Sequence, residues 1–304
     1  MDVLTDVLRA MRLQGTAYFQ ADFCAPWGMS IARDDVANFH VVVRGSCVAS
    51  WEGEERELHA GDILVFPHGL PHALLDPTRP APEPASELLA RPRTDAQGRC
   101  VFGGDGAATE LICGHFELDR AGGHPLFAAL PRALLLRRGE GTDPEWLATA
   151  TRLVVLESSS GRLGSRAVVD RLAEALMIQV IRAHAERLAL SSGFLAALSD
   201  RLLGPALAAI HEDPAAAWSV ELLARRIGAS RSSFAARFKE VLGTSPMQYV
   251  TDWRMQGARA LLANEELSIA QVAERVGYQS EFAFAKAYKR TFGEGPGAIR
   301  RRAS

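Results

Sequence analysis

The sequence predicts an α+β protein of two domains. An N-terminal β-barrel is followed by a helical stretch and a C-terminal all-α domain with two helix-turn-helix units. Three observations predict it. Short apolar segments with turn residues between them crowd the first part of the chain. Two middle stretches place apolar residues at helical period. The last part contains an internal repeat. A length of 304 residues suffices for two domains, and 48% hydrophobic residues for two cores.

Residues 2–13 read as a short amphipathic helix, with Val3, Leu4, Val7, Leu8 and Met11 on one side. Residues 15–31 read as strands broken at Pro26 and Gly28. Residues 39–43 form a strand ending at Arg44-Gly45. Residues 47–51 and 57–59 are short strands around Glu52-Gly53-Glu54, and 63–66 follow the turn Ala60-Gly61-Asp62. Strands this short and closely spaced predict a small barrel or sandwich. Residues 77–108 are rich in Pro, Ala, Arg and Gly, lack periodicity, and read as a long mobile loop. Residues 109–118 return to strand, and 126–130 with 133–136 close the barrel.

Residues 61–76 read G-D-I-L-V-F-P-H-G-L-P-H-A-L-L-D. They resemble the second cupin motif, G-x5-P-x-G-x2-H-x3-N, with Gly61, Pro67, Gly69 and His72 in place and Asp76 in the asparagine position. The first cupin motif, H-x-H followed by a glutamate, is largely missing, because Val42 stands where the second histidine belongs. The resemblance implies a cupin-like barrel over roughly residues 8–136. Its histidines His40 and His72 are expected to line one effector pocket. His115, with Glu110 or Asp76, could join them, and three imidazoles suit zinc. With the ligands of the first motif lost, we expect no metal and no cofactor, and a small-molecule or redox signal instead. The cysteines at 24, 47, 100 and 113 form no C-x-x-C pair. They read as reduced, with Cys24, Cys47 and Cys113 as small buried hydrophobes.

Residues 142–158 read as a helix, with Asp143 and Pro144 at its start and Trp146, Leu147, Ala150, Leu153 and Val154 on one face. Residues 165–190 read as a longer helix. Its stripe of Val169, Leu172, Ala173, Leu176, Val180 and Ala183 is widened by Met177, Ile178 and Ile181. A helix that apolar has more than one partner, here the barrel or the same helix of a second subunit. Ser191-Ser192-Gly193 reads as the start of a linker, and Pro205 as the start of the last domain.

The repeat begins with S-V-E-L-L-A-R-R-I-G at 219–228 and F-A-A-R-F-K-E-V-L-G-T-S-P at 234–246. It returns as S-I-A-Q-V-A-E-R-V-G at 268–277 and F-A-K-A-Y-K-R-T-F-G-E-G-P at 284–296. Ser219, Ser230, Ser268 and Ser280 are expected N-caps. Gly228 and Gly277 stop the first helix of each copy where the chain needs a positive φ, and Gly243 and Gly293 stop the second. Phe234, Phe238 and Leu242, then Phe284, Tyr288 and Phe292, recur every four residues as buried stripes. Residues 246–263 read as one connecting helix.

This pattern, with a connecting helix ending A-R-A-L-L-A, strongly resembles the AraC/XylS family of bacterial transcription regulators over roughly residues 205–302. The resemblance implies a sensor domain at 1–140, a helical dimerisation region at 141–192 and a DNA-binding domain at 205–302. The helix-turn-helix units fall at 219–243 and 268–293. It also implies a homodimer, with double-stranded DNA and RNA polymerase as partners. The alternative is a metal-dependent cupin enzyme with an accessory DNA-binding domain. The missing H-x-H and the lack of acid/base clusters at catalytic spacing speak against it, and no catalytic residue is assigned.

In the family, base-reading positions correspond to Ser232, Ala235 and Ala236 on the first recognition helix, beside Arg231, Arg237 and Lys239 as phosphate contacts. The second offers Glu281, Phe282, Ala285 and Lys286 to the groove, with Lys289 and Arg290 beside the backbone. Alanine touches a thymine methyl only, whereas Glu281 can accept from a cytosine amino group and Lys286 can donate to guanine. Charge agrees. Residues 193–304 carry 15 Lys/Arg against 11 Asp/Glu, and every lysine in the chain (Lys239, Lys286, Lys289) lies on a recognition helix. No apolar run approaches membrane-spanning length, and the acidic N-terminus lacks the basic start of a signal peptide. A cytoplasmic protein is expected.

Overall fold

The computed structural model of the chain describes residues 3–10, 14–94, 100–117, 124–140, 144–158, 160, 162–187, 193–262 and 266–298. In chain order the first elements are α1 (Val3–Ala10), β1 (Gln14–Cys24), β2 (Gly28–Ile31), β3 (Ala37–Arg44), β4 (Ser46–Trp51), β5 (Glu54–His59), β6 (Ile63–Phe66) and β7 (His72–Leu75). Then come β8 (Glu83–Pro84), α2 (Ala85–Leu89), β9 (Arg93–Thr94), β10 (Cys100–Gly103), β11 (Ala108–Glu117), α3 (Pro125–Ala129) and β12 (Leu134–Leu136). Helices complete the chain: α4 (Pro144–Ser158), α5 (Ser165–Arg187), α6 (Phe194–Ser199), α7 (Leu203–Glu212), α8 (Val220–Arg226), α9 (Arg231–Leu242), α10 (Pro246–Leu262), α11 (Ile269–Arg275) and α12 (Glu281–Phe292).

These elements form two units. A sheet-rich unit takes Leu13–Leu118 and Leu130–Arg187; a helical unit takes Met1–Arg12, Asp119–Ala129 and Leu188–Ser304. The division cuts across the boundaries drawn from sequence, because α1 and the segment around α3 belong with the C-terminal helices.

In the sheet-rich unit a seven-stranded sheet has the order β12-β6-β3-β11-β1-β10-β9, and a five-stranded sheet β5-β4-β7-β2-β8. The strand β3 shows why α4 and α5 are needed. Its residues from Ala37 to Val42 are all buried, so neither face meets water. His40 and Val42 turn toward the core between the sheets, which also holds Phe23, Leu64, Phe66, Leu74, Leu111 and Cys113. Phe39 and Val41, with Ile112 from β11, turn outward onto Val154 of α4 and Val169, Ala173 and Leu176 of α5. The exposed strand β5 lies at a sheet edge and is charged along its length, which discourages pairing with another chain.

Four expectations need correction. Residues 77–108 are not one structureless loop: β8, α2, β9 and β10 lie there, and Leu88 anchors α2 by burying itself in the core. Residues 126–130 do not close the barrel, because α3 is a helix of the helical unit. Gly193 does not open a linker; it precedes α6, whose Phe194, Leu195, Ala196 and Ala197 are buried. Leu153, expected on the apolar face of α4, is 44% exposed. The described helices end at Arg187 and Leu262, so the expected extensions to 190 and 263, like Met11, lie outside the described residues.

In the helical unit α1 lays Val3, Leu4, Val7 and Leu8 against α7 and α10. An aromatic cluster fixes the α3 segment. His124 meets Phe194 edge-on at 4.8 Å, and Trp253 stacks on His211 at 3.9 Å. The Tyr249 hydroxyl lies 2.8 Å from His211 Nε2. Burial lowers the pKa of His211 to about 4. Burial, helped by His211, lowers that of His124 to about 3. Both are therefore neutral when folded and regain a pKa near 6.5 on unfolding. Below that pH the unfolded chain binds more protons, so stability falls as pH drops toward 4. Each histidine then removes roughly 2 kcal/mol at pH 5. Thermal unfolding between pH 8 and pH 5 should show a flat midpoint down to about pH 7 and a steady fall below 6.5. A midpoint unchanged at pH 5 would refute the buried neutral state.

Candidate nucleic-acid interface

Each copy of the repeat is built by local rules. The Ser219, Ser230 and Ser280 side chains accept from the N–H groups of Leu222, Ser233 and Ala283. Ser268 and Gln271 form a reciprocal capping box. Such caps contribute about 1 kcal/mol each. After α8 the Ala229 N–H reaches the Ala224 carbonyl and the Gly228 N–H that of Arg225. After α11 the same two bonds join Tyr278 to Ala273 and Gly277 to Glu274. Both are Schellman closures. The glycines take φ of +69° and +80°.

The consequence is two helices presented alike. Residues 231–240 and 281–290 repeat the same order of buried and exposed positions, with one difference: Ala287 is buried where Arg237 is half-buried. Phe234 and Phe238, and Phe284 and Tyr288, are fully buried. Every residue expected to meet DNA is exposed or half-buried. Ser232, Ala236, Lys239, Glu281, Lys286, Lys289 and Arg290 are exposed, and Ala235 and Ala285 half-buried. Phe282 is 80% exposed, an unusual position for an aromatic ring. Arg231 pairs with Glu221 at 2.7 Å on the surface. Arg237 is held more firmly. Its Nε and Nη2 both donate to Asp200 Oδ2 at 3.1 and 3.0 Å, and its Nη1 to Glu240.

Sequence reasoning missed the residue that ties the two copies together. Arg254, on the connecting helix α10, donates from Nε to the Pro214 carbonyl and from Nη2 to that of Ala216, each at 2.7 Å. Its guanidinium also stands 5.8 Å from the centre of the Tyr278 ring. Gly277 touches the same loop, since a Cβ there would lie 2.5 Å from the Ala215 carbonyl oxygen. No side-chain pattern advertises this, because the partners of Arg254 are main-chain carbonyls.

The cupin-like residues come together differently. His40, on β3, and His72, on β7, meet across the two sheets, with Nε2 atoms 2.7 Å apart. His40 Nδ1 lies 3.0 Å from Cys113 Sγ, and His72 Nδ1 is 2.7 Å from the Leu70 carbonyl. A carbonyl only accepts, so His72 carries its proton on Nδ1 and accepts at Nε2. His40 therefore donates from Nε2, and Cys113 donates its thiol proton to His40 Nδ1. Burial supports neutral rings, lowering His40 well below its usual pKa and His72 to about 4. Burial raises both thiols, Cys47 to about 12.

A resident metal does not fit here. The nitrogens that would ligate it face each other at hydrogen-bond distance. The other expected donors are elsewhere: His115 pairs with Glu117, and Glu110 with Gln20. Asp76 accepts from the Trp27 and Thr78 N–H groups and the Thr78 hydroxyl. Burial pushes its pKa up, but these bonds outweigh burial and hold it below the usual value. Among the described residues no group of three or more His, Cys, Asp or Glu side chains is arranged to hold a metal ion. No described helix is long and apolar enough to cross a membrane.

Comparison with known proteins covers both units. The profile of a family described as "Cupin" matches residues 2–186, and that of a "Helix-turn-helix domain" residues 223–302. The HTH-type transcriptional regulator AlkR of Acinetobacter baylyi is 30% identical over 301 residues, 97% of this chain and 98% of AlkR. A putative AraC-like transcription regulator of Streptomyces antibioticus is 31% identical over 308 residues, 99% of both chains. The DNA-binding domain of the transcriptional factor AdpA, solved with a target DNA, is 32% identical over 34% of this chain and 92% of that domain, with a TM-score of 0.32.

The two turn glycines separate conformational strain from steric closure. A Cβ at Gly228 meets nothing within 4 Å, so Gly228→Ala bears only the positive φ, roughly 1–2 kcal/mol. Gly277→Ala bears the same strain and also drives a methyl into the Ala215 carbonyl. Urea unfolding should show the larger loss for Gly277→Ala, and equal losses would mean that the 214–216 loop yields freely.

Proposed function

The chain belongs to the AraC-type transcriptional regulators that carry a cupin domain ahead of a helix-turn-helix domain, and on that premise we propose that α9 and α12 enter successive major grooves of one DNA duplex. The carrying observation is the matched exposure of residues 231–240 and 281–290. The connecting helix α10, 17 residues long, spans about 25 Å at ~1.5 Å per residue. Adjacent major grooves on one face lie one helical turn, ~34 Å, apart. Ser232, Ala235 and Ala236 face bases from α9, with Arg231 and Lys239 on phosphates. Glu281, Phe282, Ala285 and Lys286 face bases from α12, with Lys289 and Arg290 on phosphates. The ring of Phe282 supplies an apolar surface for a thymine methyl. Arg237 serves the fold first, since its ion pair with Asp200 must break before it reaches DNA.

We further propose that the regulator is a homodimer and that the sheet-rich unit receives its signal. Of the exposed large hydrophobics among the described residues, Leu153, Leu156, Leu163 and Val168 lie on α4, on α5 and in their turn. That concentration supports pairing of two copies through the α4–α5 hairpin. Sedimentation should show a dimer for the native chain and a monomer for a Leu156→Glu, Leu163→Glu variant. A dimer that survives both substitutions refutes this surface.

Binding to a DNA site selected from the bacterial genome tests the grooves. Lys286→Ala should weaken that site by about 1–3 kcal/mol and relax selectivity at one base pair. Uniform weakening across sequences with a shallower salt slope makes Lys286 a phosphate contact. No change in either quantity removes it from the interface.

A further inference from the structure

The sheet-rich unit contains a cleft of about 300 Å³ that the DNA-binding reading does not use. It opens between the end of β3, the β5–β6 turn, the segment after β12 and one side of α4. A volume of that size lies at the small end of ligand pockets. Val43, Leu147 and Val155 give it apolar walls, and Arg138 and Arg152 give it charge. Among the described residues neither guanidinium has a hydrogen-bond or ion-pair partner. The neighbouring acid is already engaged: Asp62 accepts from Arg137 Nη1 at 2.8 Å and from the His59 and Arg138 N–H groups. Asp62 is therefore not free to pair with either guanidinium.

Two further details mark a built site. The stem of Arg138 lies across Gly61, so close that a Cβ there would sit 2.9 Å from Arg138 Cδ. Glycine at this position lets the cation lie along the cleft. Inside, the Thr151 hydroxyl oxygen is buried without a hydrogen-bond partner, which a ligand acceptor would supply. By contrast, His40 and His72 have no ring nitrogen to spare, because each is spent on the other, on Cys113 or on Leu70.

We propose that this cleft binds a small organic carboxylate with an apolar body, held by Arg138, Arg152 and the Thr151 hydroxyl, and that its occupancy is the signal this unit receives. The second half rests on the reading of the sheet-rich unit as the receiver. Paired guanidinium contacts suit a carboxylate, and the aliphatic wall excludes a bare inorganic anion as the preferred ligand. α4 forms one wall of the cleft and carries Leu153 and Leu156 on its exposed side, so occupancy acts on the helix that bears the proposed dimer surface.

Isothermal titration of the full chain tests the site, with octanoate and 4-phenylbutanoate as probes and octan-1-ol and inorganic phosphate as controls. Both carboxylates should saturate one site, and both controls should bind at least about tenfold more weakly. Arg138→Gln and Arg152→Gln should each weaken octanoate about tenfold. Ala148→Trp, filling the cleft from α4, should abolish binding, with thermal midpoints confirming that all variants fold. Absence of saturable carboxylate binding up to roughly 10 mM overturns the site. So does binding unaffected by all three substitutions, and phosphate binding as well as octanoate refutes the apolar body. DNA retention reads the signal separately. Octanoate should alter the DNA affinity of the native chain and not that of Ala148→Trp. Binding without any change in DNA affinity overturns the signalling half alone. A chain that retains no DNA overturns the regulator reading, while the titration still decides the site.

Discussion

The two recognition helices can act together only if their spacing is fixed, and Arg254 fixes it. Its guanidinium is partly withdrawn from water, and burial pulls its pKa down while Tyr278 and Asp213 oppose the shift. Arginine keeps its charge under such conditions, and its planar fork matches carbonyls presented by a loop. By holding the carbonyls of Pro214 and Ala216 while facing Tyr278, it joins the entrance of the first helix-turn-helix to the turn of the second. Surface residues on α9 and α12 can then vary to suit a DNA sequence without loosening the frame that aims them.

The sheet-rich unit has kept the cupin architecture while altering the chemistry at its centre. Instead of turning toward a common ion, the two imidazoles bond to each other. The carbonyl of Leu70 sets the direction of the whole chain of bonds, through His72 and His40 to Cys113. Every polar atom in it is satisfied, so it stabilises the contact between the two sheets rather than waiting for a ligand. Cys113 and Cys47 are correspondingly poor nucleophiles, because burial keeps both thiols protonated.

What could be read from sequence was what depends on near neighbours. The four serine caps, the positive-φ glycines and the Phe234 and Phe284 stripes are settled within a few residues, and the structure has each where expected, except that Phe292 is only partly buried. The strand β3 was legible from its β-branched run. Elements settled by distant partners were not. The helix α3 is a five-residue P-L-F-A-A segment with little local signal, and its place depends on the company of α6 and the His124 cluster. The apolar run of α6 was hidden by the Ser-Ser-Gly before it. Residues 77–108 look structureless because their short strands borrow order from β1 and β2. For the site, exposure of the side chains proposed to face DNA followed from the stripe opposite them. The engagement of Arg237 by Asp200 did not, since 37 residues separate the pair.

The helical unit is assembled from three separate lengths of chain, and this bears on the order in which the protein comes into being on the ribosome. The segment that becomes α1 is made before the whole sheet-rich unit, and its partners α7 and α10 only after it. At ~5–20 residues per second, roughly 10–40 s pass before α7 emerges to cover Val3, Leu4, Val7 and Leu8. The sheet-rich unit, complete by Arg187, has all its strands and both covering helices in that interval. A nascent chain at that stage therefore holds a finished sheet-rich unit and an uncovered apolar helix together, and the helix-turn-helix units follow only later.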